Sequence, residues 1–143
     1  MRLETDISLY RSKIALTSKG SDGKIYYSYT GNDMSTILDL PVQEVGIIFY
    51  KNKLYCISVI FKKASDIEEK ELYQKLADLF GSPHTEQASE KDPLSYQWGY
   101  SWETEKVFMQ FAKYAENSSL NPGQLDIFMY SNKIHHQIAT DNF

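Results

Sequence analysis

The sequence is short of almost every pattern that declares a chemistry. Among its 143 residues there is one cysteine, Cys56. No intramolecular disulfide can therefore form, and a reducing compartment suits the chain. The seven glycines are scattered, so no glycine-rich loop is available to cradle a phosphate. No apolar run approaches the roughly 20 residues that cross a bilayer, which predicts no membrane span. The opening MRLETDISLY lacks the apolar stretch of a signal peptide. The expectation is a cytoplasmic protein, moved to the envelope or periplasm only if an export signal has been trimmed away.

Basic charge is also scarce. The formal net charge is −4, whereas nucleic-acid affinity comes largely from phosphate neutralisation by a basic face. Lys51, Lys53, Lys62 and Lys63 cluster around one hairpin and are expected to form a solvated rim. No nucleic-acid partner is predicted. The three histidines, His84, His135 and His136, match no zinc-site spacing. No serine sits in a nucleophile elbow. Glu103 and Glu105 flank a turn and make no catalytic dyad, and Cys56 lies within an apolar strand where a thiol is inert. No catalytic residue, metal or cofactor is predicted.

What is present is structural. Aromatic residues make up 14% of the chain, led by eleven tyrosines, which tilts the expectation towards strands. The runs KIYYSY (24–29), VGIIFY (45–50), LYCISVIF (54–61), KVFMQFAKY (106–114) and QLDIFMYS (124–131) read as strands, and Lys51-Asn52-Lys53 as a tight hairpin turn. Ser65 with Glu68 forms the signature of a capping box. Leu72, Tyr73, Leu76, Leu79 and Phe80 then supply an apolar stripe, and Gly81 with Pro83 stops the helix. The segment 82–94 is polar and long for a connection.

The stretch SYQWGYSW (95–102) places Tyr96, Trp98, Tyr100 and Trp102 on alternate positions, with Ser95, Gln97, Gly99 and Ser101 between them. On a regular strand the rings share one face, suited to covering the helix stripe. Trp98, in mid-strand, is expected in the core. Trp102 and Tyr100, beside the turn at 103–105, are the candidate contact residues, joined by His84 from the loop.

The runs VGIIFYKNKLYCISVIF, LYQKLADLFGSP, YQWGYSW and LDIFMYSNK together resemble a pattern of small uncharacterised bacterial α+β domains. These combine a hairpin with KLY on its second strand, a helix ending in FGxP, a Trp-bearing hairpin and a YSNK-like strand. The resemblance covers roughly residues 45–133. It implies an α+β domain of a kind often found in envelope proteins, and it carries no catalytic residues to transfer. The layout is also similar to helix-on-sheet inhibitor and immunity-type modules, at the level of fold alone.

The expectation is one α+β domain over 1–143. An antiparallel sheet of about five to six strands packs on one main helix, in the order βββαβββ, with 1–20 and 132–143 loosely ordered. The expected function is a non-catalytic binding or interaction module with a protein partner, immunity- or inhibitor-like. The alternative is a small-ligand or carbohydrate binder, or an enzyme, with an aromatic-lined cleft at Tyr100, Trp102 and His84.

Overall fold

The computed structural model describes residues 1–87 and 96–143. The chain is an α+β fold built on a mostly antiparallel sheet. The sheet is larger than expected. Its strands are β1 (Ile14–Lys19), β2 (Lys24–Tyr29), β3 (Thr36–Ile37), β4 (Leu40–Tyr50), β5 (Lys53–Phe61), β6 (Thr85–Gln87), β7 (Tyr96–Glu103), β8 (Val107–Tyr114) and β9 (Leu125–Ser131). The spatial order is β1-β2-β4-β5-β9-β8-β7-β6, with β3 paired to β4. Among the described residues the expected five to six strands become nine, and the one main helix becomes two α-helices: α1 (Asp66–Phe80) and α2 (Asn132–Asp141). The order βββαβββ is corrected accordingly. β1 lies within 1–20, and α2 lies within 132–143.

One crossover explains this order. After β5, in the middle of the sheet, α1 carries the chain to the far edge, and β6, β7, β8 and β9 step back until β9 pairs with β5. The hairpin between β4 and β5 turns on Lys51 (φ 48°) and Asn52 (φ 64°). Two left-handed residues suit the right-handed twist of the flanking strands.

Helix α1 begins as its sequence requires. The Ser65 hydroxyl accepts from the Glu68 N–H at 3.2 Å, and the Glu68 carboxylate accepts from the Ser65 N–H at 3.0 Å. Gly81 ends it with φ +83° and its N–H on the Ala77 carbonyl. Leu72 and Leu76 are buried, while Leu79 and Phe80, expected on the same stripe, are 62% and 53% exposed. They lie in the last turn of the helix.

The two sheet faces are covered differently. On the first, α1 and residues 3–14 bury Val45, Ile47, Phe49, Ile57, Val59, Phe61, Phe111, Leu125 and Ile127. The Phe49 ring meets Tyr27 edge-on at 5.6 Å and Tyr10 at 6.0 Å. At the other end of this face Lys113 of β8 pairs with Glu69 of α1 at 2.6 Å. On the second face, α2 sets Ile134 and Ile138 on Tyr50, Tyr55 and Cys56. Ser131 caps α2, its hydroxyl accepting from the Ile134 N–H at 3.1 Å. The far end of α2 is tied down by Asp141, which accepts from the Tyr50 hydroxyl at 2.8 Å and pairs with Lys51 at 3.0 Å. No helix among the described residues is long and apolar enough to cross a membrane.

Candidate functional site

None of the clefts lined wholly by described residues includes Tyr100, Trp102 or His84. Trp102 is 5% exposed, lies in the first-face core and donates its indole N–H to the Gly81 carbonyl at 2.8 Å. Trp98, expected to be the deeper of the two, is only half-buried, so the predicted ranking is reversed. Tyr100 is half-buried with its ring 4.7 Å from Tyr73 of α1. His84 is exposed, and its Nδ1 accepts from the Glu103 N–H at 3.0 Å. The Trp102 bond joins the end of α1 to β7, and the His84 bond joins the segment that follows α1 to the same strand. Of the loop 82–94, residues 85–87 form β6, and 88–94 lie outside the described residues, as does Ser95.

The four-ring stripe is also divided. Tyr96 pairs with Tyr114 and Trp98 with Lys113, leaving Gln97 as a bulge. One extra residue reverses the alternation of side chains. Tyr96 therefore points to the second face, where its ring lies 4.9 Å from Tyr114 and its hydroxyl donates to Asp126 at 2.7 Å.

Among the described residues, Asp126 is a buried carboxyl on β9. It faces opposite to Leu125 and Ile127, as its position predicts, yet it is 2% exposed. Its Oδ1 has no hydrogen-bond partner among the described residues. Burial pushes the carboxyl up to about 7, with the Tyr96 and Tyr114 hydroxyls pulling it back. Cys56 is buried, and burial pushes its thiol up to about 12, so it stays protonated. His135 and His136 lie on a helix rather than a strand, about 100° apart around its axis. The Nδ1 of His135 is 2.7 Å from the Tyr55 hydroxyl, and its ring stacks on Tyr130 at 4.6 Å.

A cleft of about 1180 Å³ opens elsewhere, at the end of the sheet where β9 leaves for α2. Where β9 departs, the N-terminal segment takes over its side of β5: Glu4 N–H donates to Leu54 O at 2.8 Å, and Leu54 N–H to Thr5 O at 2.9 Å. The segment cannot follow the sheet further, because Glu4 turns with φ 68°. The space left between that segment, the β7–β8 turn and the start of α2 is the cleft. Its apolar lining is Leu3, Val107 and Met129, and Arg2, Glu4, Glu105, Lys106, Asn132, Lys133 and His136 supply polar groups.

The walls of the cleft are held firmly. The Asn132 N–H donates to Lys106 O at 2.9 Å, and its amide nitrogen to Thr104 O at 3.0 Å, fixing the turn to α2. The fully buried Ser131 hydroxyl donates to the Glu4 carboxylate at 3.2 Å. That carboxylate also sits near the positive end of the α2 dipole. No Phe, Tyr or Trp lines this cleft. Sequence reasoning missed it because its residues come from three distant segments, and none carries a motif.

A smaller depression of about 350 Å³ lies on the second face, over Gly46 and Ser58 and beside Tyr26, Ile48 and Glu44. A Cβ on Gly46 would meet nothing within 4 Å. Phe128 pairs with Ser58 on the neighbouring strand, and it stands beside Phe108 and Tyr130, whose rings stack at 5.0 Å. All three rings are half-buried. Among the described residues no group of three or more His, Cys, Asp or Glu side chains is placed to hold a metal ion.

No protein-family model, curated protein or solved structure matches the chain.

Proposed function

We propose that the chain is a non-catalytic binding module whose ligand enters the cleft between the N-terminal segment, the β7–β8 turn and α2. The observation that carries this reading is the composition of the cleft: its lining combines charged groups of both signs with the apolar side chains of Leu3, Val107 and Met129. Concave sites with apolar walls and a few fixed polar groups are where small ligands and peptide ends bind. Three groups of kinds that serve in catalysis are engaged in the fold. Ser131 is buried and caps α2, His135 is held by Tyr55, and Cys56 stays a protonated thiol under α2.

The test is a screen of small metabolites and short peptides against protein labelled at the methionine methyl groups. Ligands that shift the Met129 methyl saturably support the reading. A screen in which every hit shifts other methyl groups and leaves Met129 unmoved refutes it.

A second reading, a protein partner seated on the second sheet face, is favoured by one feature. The partly exposed rings of Phe108, Phe128 and Tyr130 adjoin the depression over Gly46. Aromatic residues are enriched at the centres of interfaces. A partner recovered from source lysate by the parent, and lost with Phe108→Asp/Phe128→Asp, supports this reading. Equal recovery by both proteins contradicts it.

A further inference from the structure

We infer that the cleft selects an organic anion: a ligand with a carboxylate or phosphoryl head and a compact apolar body. The inference rests on the cleft being the binding site and adds the chemistry of what it takes. The chain as a whole is acidic, with a formal net charge of −4. Five lysines, at positions 24, 51, 53, 75 and 113, have a carboxylate within 4.0 Å. Arg2, Lys106 and Lys133 have none among the described residues, and unlike Arg11, Lys13, Lys19, Lys62, Lys63 and Lys70, which also have none, these three line one cleft. Cations left unpaired in an acidic protein, gathered around one concavity, are available to a ligand.

The acids of the cleft are not equivalent to these cations. The Glu4 carboxylate is already met by the Ser131 hydroxyl at the start of α2. Glu105 stands exposed on the turn next to Lys106. The groups free to receive a ligand are therefore mainly cationic, with Glu105 opposing them from the rim. Guanidinium and ammonium groups bind carboxylate and phosphoryl oxygens by charge-assisted hydrogen bonds. The apolar side chains of Leu3, Val107 and Met129 would cover the apolar body and exclude water from beside the ion pair.

The arrangement predicts opposite effects from neighbouring substitutions. Lys106→Gln and Lys133→Gln should each weaken the anion by about tenfold, and Glu105→Gln should strengthen it by about threefold. Added salt should weaken it in the parent.

The experiment titrates the parent and these variants with phenyl phosphate, benzoate, benzylamine and benzyl alcohol. The readouts are the Met129 methyl signal and calorimetry. Saturable binding of phenyl phosphate or benzoate, weakened by each lysine change and strengthened by Glu105→Gln, supports the inference. Phenyl phosphate alone assigns a phosphoryl head, and benzoate alone a carboxylate. Benzylamine or benzyl alcohol binding more tightly than both anions overturns the anionic preference and leaves the cleft standing as a binding site. If no probe moves Met129, the inference is overturned, and the metabolite and peptide screen decides separately whether the cleft is a binding site.

Discussion

The phenol of Tyr96 on β7 donates a 2.7 Å hydrogen bond to Oδ2 of Asp126 on β9, reaching across the intervening strand β8. The bond depends on the bulge at Gln97, which turns Tyr96 out of the aromatic stripe and over the second face. It provides the buried carboxyl with one partner and leaves Oδ1 without one among the described residues.

That carboxyl should make stability fall as pH rises. Its folded pKa is raised to about 7 from an ordinary 3.8, chiefly by burial. Below about pH 4 both states are protonated and the group costs nothing. Between there and about pH 7 the unfolded chain releases a proton that the folded chain keeps, so unfolding is favoured. The loss levels off above about 7, at roughly 4 kcal/mol or less. Asp126→Asn keeps an acceptor for Tyr96 and should flatten the dependence while stabilising the protein at pH 8. Urea unfolding at several pH values checks this, and a parent whose stability is flat from pH 4.5 to 7.5 would contradict it.

Trp102 should behave as a core residue. Trp102→Ala should cost about 3–5 kcal/mol. Trp102→Phe should cost about 1–2 kcal/mol, because the Gly81 carbonyl loses its donor. In a Trp98→Phe background the remaining indole should be shielded from acrylamide. Quenching at the rate of a free indole would place it in solvent.

Helix α2 should protect the thiol. Cys56 lies beneath Ile134 and Ile138, and burial holds it protonated. The parent should react with a maleimide only as fast as it unfolds, while Ile134→Ser/Ile138→Ser should be labelled under native conditions. Labelling of the native parent within minutes would mean that α2 does not cover Cys56.

The Glu69–Lys113 pair should couple α1 to β8. Both side chains are 14% accessible and 2.6 Å apart. Removing either charge should cost about 1–2 kcal/mol, and Glu69→Gln/Lys113→Met should recover part of it, since the stranded charge is then gone. A double-mutant cycle measures the coupling, and additive losses would show that the two do not interact.

Elements with strong local signals were legible in the sequence. Ser65, Glu68 and Gly81 state both ends of α1, and alternation or apolar runs mark β2, β4, β5, β8 and β9. The missed elements have weak signals for physical reasons. β1 is an edge strand that is mostly exposed, so nothing in Ile14–Lys19 has to alternate. α2 has just two buried apolar residues, Ile134 and Ile138, one turn apart in a polar stretch. The bulge at Gln97 leaves the printed alternation of 96–102 intact, and only the buried carboxyl thirty residues away shows why Tyr96 turns over. The cleft was hidden in the same way, because Arg2, Lys106 and Lys133 become neighbours only when the N-terminal segment replaces β9 beside β5.

The most direct measurement of the central claim is calorimetry of a ligand from the methyl-shift screen against the parent and Val107→Trp, a change that fills the cleft from its lining. The account predicts at least about a hundredfold loss of affinity, with a thermal midpoint close to that of the parent. Undiminished affinity in the filled variant would contradict it.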